Sequence, residues 1–188
     1  MDRCSHHAFE FFGRELTGLL HVRHSSPRGS IAVESVMNAC YASTMASVQI
    51  KVGIIPAADA LVDLYSSVGW SAYTRHPSRL QEAVRRSLFT ATAWEDDRLV
   101  GLARVVGDAV SIIYLQDVLV HPSWQRSGIG RSLVMQVFAP FADVRQHVLL
   151  TDSETGQTAF YTSLGFSDIR DMRGGLRSFV RIRTQDTD

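Results

Sequence analysis

The stretch "VHPSWQRSGIG", Val120 to Gly130, decides the fold. A β-type run, "VSIIYLQDVLV" (110–120), leads into it. After it Ile129, Leu133, Val137 and Phe141 recur every fourth residue, with Val134 and Phe138 widening the apolar face. That period predicts an amphipathic helix. The stretch is therefore a strand-to-helix turn, and Pro140 marks the helix end. Such a turn leaves backbone N–H groups without partners, and the helix dipole favours an anion beside them. Gly128 and Gly130 allow close backbone approach, and Arg126 and Arg131 add positive charge. A phosphate or pyrophosphate is the natural guest. No G-x-x-x-x-G-K-[ST] is present, which excludes a P-loop, and the third glycine of a dinucleotide fingerprint is missing.

The same reasoning extends outward in both directions. "VQIKVGII" (48–55) alternates as a strand. Pro56 opens a helix with Leu61, Leu64, Tyr65 and Val68 on one face, stopped by Gly69. "GWSAYTRH" (69–76) is a loop, and Pro77 starts a second helix striped by Leu80, Val84 and Leu88. "LFTATAW", "LVGLARVV" and the long run ending at Val120 form a meander of antiparallel strands. "HVLLT" (147–151) is a short buried strand. "DSETGQTAFYTSLGF" (152–166) is a helix ended by Gly165, and "SDIRDM" and "LRSFVRI" are two final strands. The order β-α-α-β-β-β-α-β-α-β-β predicts an α+β fold. Its mixed, mostly antiparallel central sheet has helices on both faces.

Residues 1–45 read as a poorly ordered extension, and residues 46–188 as the folded domain; Met45 is an alternative start. His6, His7, His21 and His24 lack the carboxylate or cysteine set that would complete a metal site, so no metal is expected. Cys4 and Cys40 read as free thiols of a reducing compartment. The 19 basic and 19 acidic residues balance, which argues against a nucleic-acid footprint or an anionic-membrane partner. No apolar run reaches membrane-spanning length and no signal-peptide pattern opens the chain, so the expectation is a cytoplasmic protein.

"DVLVHPSWQRSGIGRSL", Asp117 to Leu133, resembles the acetyl-CoA-binding signature of the GNAT N-acetyltransferase superfamily. Gln125, Gly128 and Gly130 fill its Q/R-x-x-G-x-G/A core. "AFYTSLGF", Ala159 to Phe166, is similar to the family's second hallmark. The finer pattern is similar to bacterial members and to plant arylalkylamine-type acetyltransferases. The resemblance implies acetyl transfer from acetyl-CoA, as cosubstrate, to a primary amine by direct attack in a ternary complex. A small acceptor is favoured, aromatic amines included, and a homodimer is compatible with the family. Two alternatives stand beside it: a non-catalytic acyl-CoA-binding regulatory module, and a protein lysine or N-terminal acetyltransferase.

Carried over, the resemblance implies that the pyrophosphate rests on Gln125, Arg126, Ser127, Gly128, Ile129 and Gly130, with Arg131 and Ser132 at the helix start. The pantetheine arm pairs with Val118, Leu119 and Val120 in the manner of an added strand. Tyr161 aligns with the tyrosine that protonates the leaving thiolate; its other reading is a core aromatic. Asp117 stands in an apolar strand and needs a partner. It is either the general base or the ion-pair partner of a residue such as Arg104. The glutamate base of some members is replaced by Leu149, and an asparagine often found before the tyrosine by Glu154. Trp70 and Tyr73 form an aromatic wall for the acceptor, or Trp70 plugs the core.

Overall fold

In the computed structural model, residues 48–153 and 155–182 are described. The chain divides into two compact units, residues 1–150 and 151–188. The first carries the sheet. Its elements are β1 (Gln49–Val52), α1 (Ala58–Ser67), α2 (Ser71–Thr74), α3 (Pro77–Arg85), β2 (Phe89–Glu95), β3 (Arg98–Gly107), β4 (Ile112–Val120), α4 (Ile129–Phe138) and β5 (Gln146–Leu149). The strands lie in sequence order, β1-β2-β3-β4-β5. The first three pairings are antiparallel and β4–β5 is parallel, with α4 supplying the crossover.

Alternation along β3 assigns the two faces. Leu102 joins Leu61, Leu64, Tyr65, Leu80, Val84, Leu99 and Leu119 in one buried cluster, so α1 and α3 cover that side. Its neighbour Gly101 points the other way. A Cβ there would lie 3.0 Å from Leu133 Cδ1 and 3.2 Å from Ala93 Cβ. The missing side chain thus lets α4 approach the sheet, with Leu133, Val134 and Val137 buried beneath it. The expected sheet with helices on both faces is the one observed. At the β3–β4 hairpin, Ser111 Oγ donates to Asp108 Oδ2 and the amides of Ser111, Val110 and Ile112 donate to its Oδ1, an Asx-type turn that holds its carboxyl well below the usual range.

Some details differ from the sequence reading. The loop 69–76 contains a single helical turn, α2. Leu88 falls beyond the end of α3. In the second unit α5 spans Thr155–Thr162, and Gly165 follows it at φ 91°. The two expected final strands are absent among the described residues. Ile169–Asp171 is a 3-10 turn instead, because Asp168 accepts from the Arg170 amide and pairs with its guanidinium. Such local side-chain bonds compete with a ladder. Leu176–Ile182 has strand-like composition but no strand partner among the described residues. The extension 1–45 and the start of the domain, residues 46 and 47, lie outside the described residues.

Candidate active site

The turn after β4 is built in two halves. The first is fastened to the β2–β3 hairpin. The His121 amide bonds Val100 O at 2.8 Å, and Pro122–Trp124 forms a 3-10 turn. Trp124 Nε1 donates to Glu95 Oε1 at 3.2 Å, and the Arg98 guanidinium stacks over the Trp124 ring at 4.8 Å. Gln125 Nε2 reaches back to Val120 O at 3.0 Å, which ties the turn to the end of β4.

His121 is the titratable part of this fastening. Its Nδ1 accepts from the Ser123 amide at 3.2 Å, and Nε2 lies 3.0 Å from Arg98. A neutral ring has one lone pair for these donors, and a protonated ring has none. Burial, then the Arg98 charge, holds its pKa below the ordinary 6.5. The unfolded chain therefore takes up the proton first. The contribution to stability is fully present above about pH 6.5 and is lost as pH falls through the lower folded value. Thermal melts at about pH 7 and about pH 5.5 should show a drop that is smaller in His121→Gln. An equal drop in both proteins would remove the assignment.

The second half is open. Arg126 has φ 60° and Gly128 φ 87°, so two residues near the helix start are left-handed. Gly128 is the N-cap of α4. Among the described residues no acceptor takes up the amides of Arg126, Ser127, Gly128, Ile129 or Gly130. A Cβ on Gly128 would meet nothing within 4 Å. The amides at the N-terminus of this ten-residue helix thus have no acceptor among the described residues, and the residues present fit a phosphate-bearing ligand. Ser132 belongs to the helix itself, its amide bonding Gly128 O at 3.0 Å.

The strand side is open as well. β4 pairs with β3 as far as Val120, but with β5 only over Ile112–Leu115. Val118, Leu119 and Val120 thus have no strand partner on the β5 side among the described residues. The parting coincides with a bulge. Arg104 is opposite Asp117 and Val105 is opposite Leu115, so Gln116 is the extra residue. Adjacent residues of β3 face opposite ways and cross-strand partners share a face. Leu115 and Asp117, two apart, are therefore turned to opposite faces.

Asp117 is buried, with 2% of its surface exposed. Its Oδ2 accepts from Arg104 Nε and from Tyr65 Oη of α1, the latter at 2.6 Å. The ion-pair arrangement with Arg104 is thus present. Arg104 also reaches Ser87 Oγ at 3.3 Å. Burial opposes the Arg104 charge, but the adjacent carboxylate outweighs it and raises its pKa. Burial, and then Asp117, lifts Tyr65 far above the ordinary tyrosine value. Tyr65, Trp70 and Tyr73 form an aromatic triangle with centroids 5.6–5.9 Å apart. Trp70 packs against the core, whereas Tyr73 is 37% exposed. Burial, and then Asp117, raises Tyr73 too.

Tyr161 lies in α5 of the second unit, half-buried between Phe160 and Phe166, with centroids 5.0 and 6.0 Å away. Leu149 ends β5 half-buried, and Glu154 lies outside the described residues. Sequence reasoning did not find Gln116, Arg98 or Tyr65. Only Tyr65 carried a signal: a hydroxyl in an apolar stripe needs a partner when buried.

The acetyltransferase (GNAT) domain model matches residues 73–174, from the Tyr73 helical turn through α5. The chain belongs to the GNAT acetyltransferase family. It is 34% identical over 112 residues to an uncharacterized N-acetyltransferase, ycf52-like, of Prochlorococcus marinus, covering 57% of this chain and 61% of that one. It is 31% identical over 134 residues to the chloroplastic serotonin N-acetyltransferase 2 of Oryza sativa subsp. japonica, covering 67% and 64%. The matches span less than two thirds of these curated relatives' length. A solved GNAT family acetyltransferase from Streptococcus pneumoniae TIGR4 superposes with TM-score 0.64 at 32% identity, covering 73% of this chain and 99% of that one. The GNAT chain has no group of three His, Cys, Asp or Glu residues fit for a metal among its described residues. No helix among them is long and apolar enough to cross a membrane. The four N-terminal histidines lie outside the described residues.

Proposed function

We propose that this chain transfers an acetyl group from acetyl-CoA to a small primary amine. The observation that carries the reading is the row of amides, Arg126 to Gly130, without an acceptor among the described residues, continuous with the edge Val118–Val120, which has no strand partner there on the β5 side. A pyrophosphate suits the first, and an extended arm that hydrogen-bonds like a strand suits the second. Arg126 and Arg131 add positive charge.

In this reading the amine nitrogen attacks the thioester carbonyl directly. A C–N bond forms, the C–S bond breaks, the nitrogen loses a proton and the thiolate gains one. An amine of pKa near 10.4 costs roughly 4–5 kcal/mol to deprotonate at neutral pH. Tyr161 supplies the proton to the thiolate, and Tyr73 with Trp70 walls the acceptor side. The serotonin N-acetyltransferase among the relatives supports an aromatic amine as the first acceptor to try.

The test has two stages. Acetyl-CoA at saturating concentration should raise the melting temperature by several degrees, as tight binding to the native state requires. CoA release should then follow with one or more members of an amine panel. No shift with acetyl-CoA would sink the reading. A shift without CoA release on any amine would favour the second reading, a non-catalytic acyl-CoA-binding module. Leu149, where some members carry a glutamate base, and the engaged Asp117 favour that second reading. Modification of protein lysines instead of small amines, read by mass spectrometry, would move the substrate class to protein.

A further inference from the structure

The Arg104–Asp117 pair sits at the bulge where β4 leaves β5. Asp117 is the first residue after the extra Gln116, and Arg104 is its cross-strand partner. Parallel pairing with β5 ends one residue before the bulge, at Leu115. The pair is buried, with side chains 7% and 1% exposed. Tyr65 ties it to α1, and Ser87 ties it to the segment after α3. Four parts of the first unit therefore converge on one carboxylate oxygen and its guanidinium partner.

Stability alone does not account for this arrangement. Two buried charges lose hydration that their attraction only partly offsets, and apolar replacements of such pairs are often neutral or better. Asp117 Oδ1 is buried without a partner among the described residues, which adds to the cost. What the pair does supply is register. A slip of one residue along β4 would turn every side chain to the wrong face. With the bulge lost, Asp117 would share the face of Leu115, away from Tyr65.

We propose that Arg104, Asp117 and Tyr65 form a register lock on the β4 bulge that holds the edge Val118–Val120 open for acyl-CoA. Asp117 is then a positioning residue and the general-base role is not its own. The inference rests on the acyl-CoA reading above.

The test compares the full chain with Asp117→Asn, Tyr65→Phe and the double variant Arg104→Met/Asp117→Leu. The double variant removes both charges together, so no unpaired charge is left to unfold the protein. Titration calorimetry should show acetyl-CoA binding weakened about tenfold or more in Asp117→Asn and the double variant, and less in Tyr65→Phe. The acetyl-CoA KM should rise more than kcat falls, and the kcat–pH profile should keep its shape. Hydrogen exchange over residues 101–120 should quicken in Asp117→Asn. Unchanged acetyl-CoA affinity with unchanged exchange overturns the lock. So does loss of kcat and of one pH limb at constant affinity, which marks a base. Failure of the unaltered chain to bind acetyl-CoA defeats the acyl-CoA reading instead; exchange then decides whether the lock exists.

Discussion

Gly128→Val should bind acetyl-CoA about 100-fold more weakly than the unaltered chain, or worse, while still folding. Two physical terms set that expectation. Gly128 has φ 87°, where a β-branched side chain is strained by about 1–2 kcal/mol or more. Relaxing the strain rotates the neighbouring peptide planes, and with them the open amides on either side. Each hydrogen bond from an amide to a charged oxygen is worth about 1.5–3 kcal/mol, so misdirecting one or two reaches about 100-fold. A Cβ at Gly128 meets nothing within 4 Å, so no core packing opposes the change. The melting temperature should therefore fall by only about 2–4 °C per kcal/mol of strain. Calorimetric titration with acetyl-CoA reads the first effect and a thermal melt the second. Binding within about threefold of the unaltered chain would mean that the turn does not hold the cosubstrate.

Much of this site was legible because its signals are local. The G-x-G spacing, the apolar period of α4 and the β-type runs of β2, β3 and β4 all lie in contiguous residues. The aromatic loop was legible as composition, and a carboxylate in an apolar strand pointed to a partner on the neighbouring strand, Arg104 being one example. The bulge was not. "IIYLQDVLV" reads as one β-type run through Gln116, and an extra residue on one strand leaves no mark in its own sequence. Only the pairing with β3 shows that Leu115 and Asp117 face opposite ways. Arg98 was hidden for a related reason: its partners Trp124 and His121 come from beyond β4, brought to it by the sheet. The two expected last strands fail differently. The residues of Leu176–Ile182 favour a strand, but a strand needs a neighbour, and in "SDIRDM" an Asx-type turn at Asp168 competes with one.

Tyr161→Phe separates the remaining chemical question from packing. Tyr161 packs edge-on against two rings, Phe160 and Phe166, at interplanar angles of 70° and 81°. Phenylalanine keeps the ring and its contacts with Phe160 and Phe166, so a residue present only for that packing would keep its kcat. A residue that protonates the departing thiolate would not. The thiolate of a cysteine-like thiol has a pKa near 8.5, so it leaves far better as the thiol. General acid catalysis of this kind contributes about 10²–10⁴-fold. We therefore expect kcat to fall by about 100-fold or more, with the acetyl-CoA KM within about threefold of the unaltered value. A donor thioester with a more acidic thiol should regain part of the rate, because a better leaving group needs less protonation. A kcat within a few-fold of the unaltered chain, or a loss confined to KM, would return Tyr161 to the packing of α5.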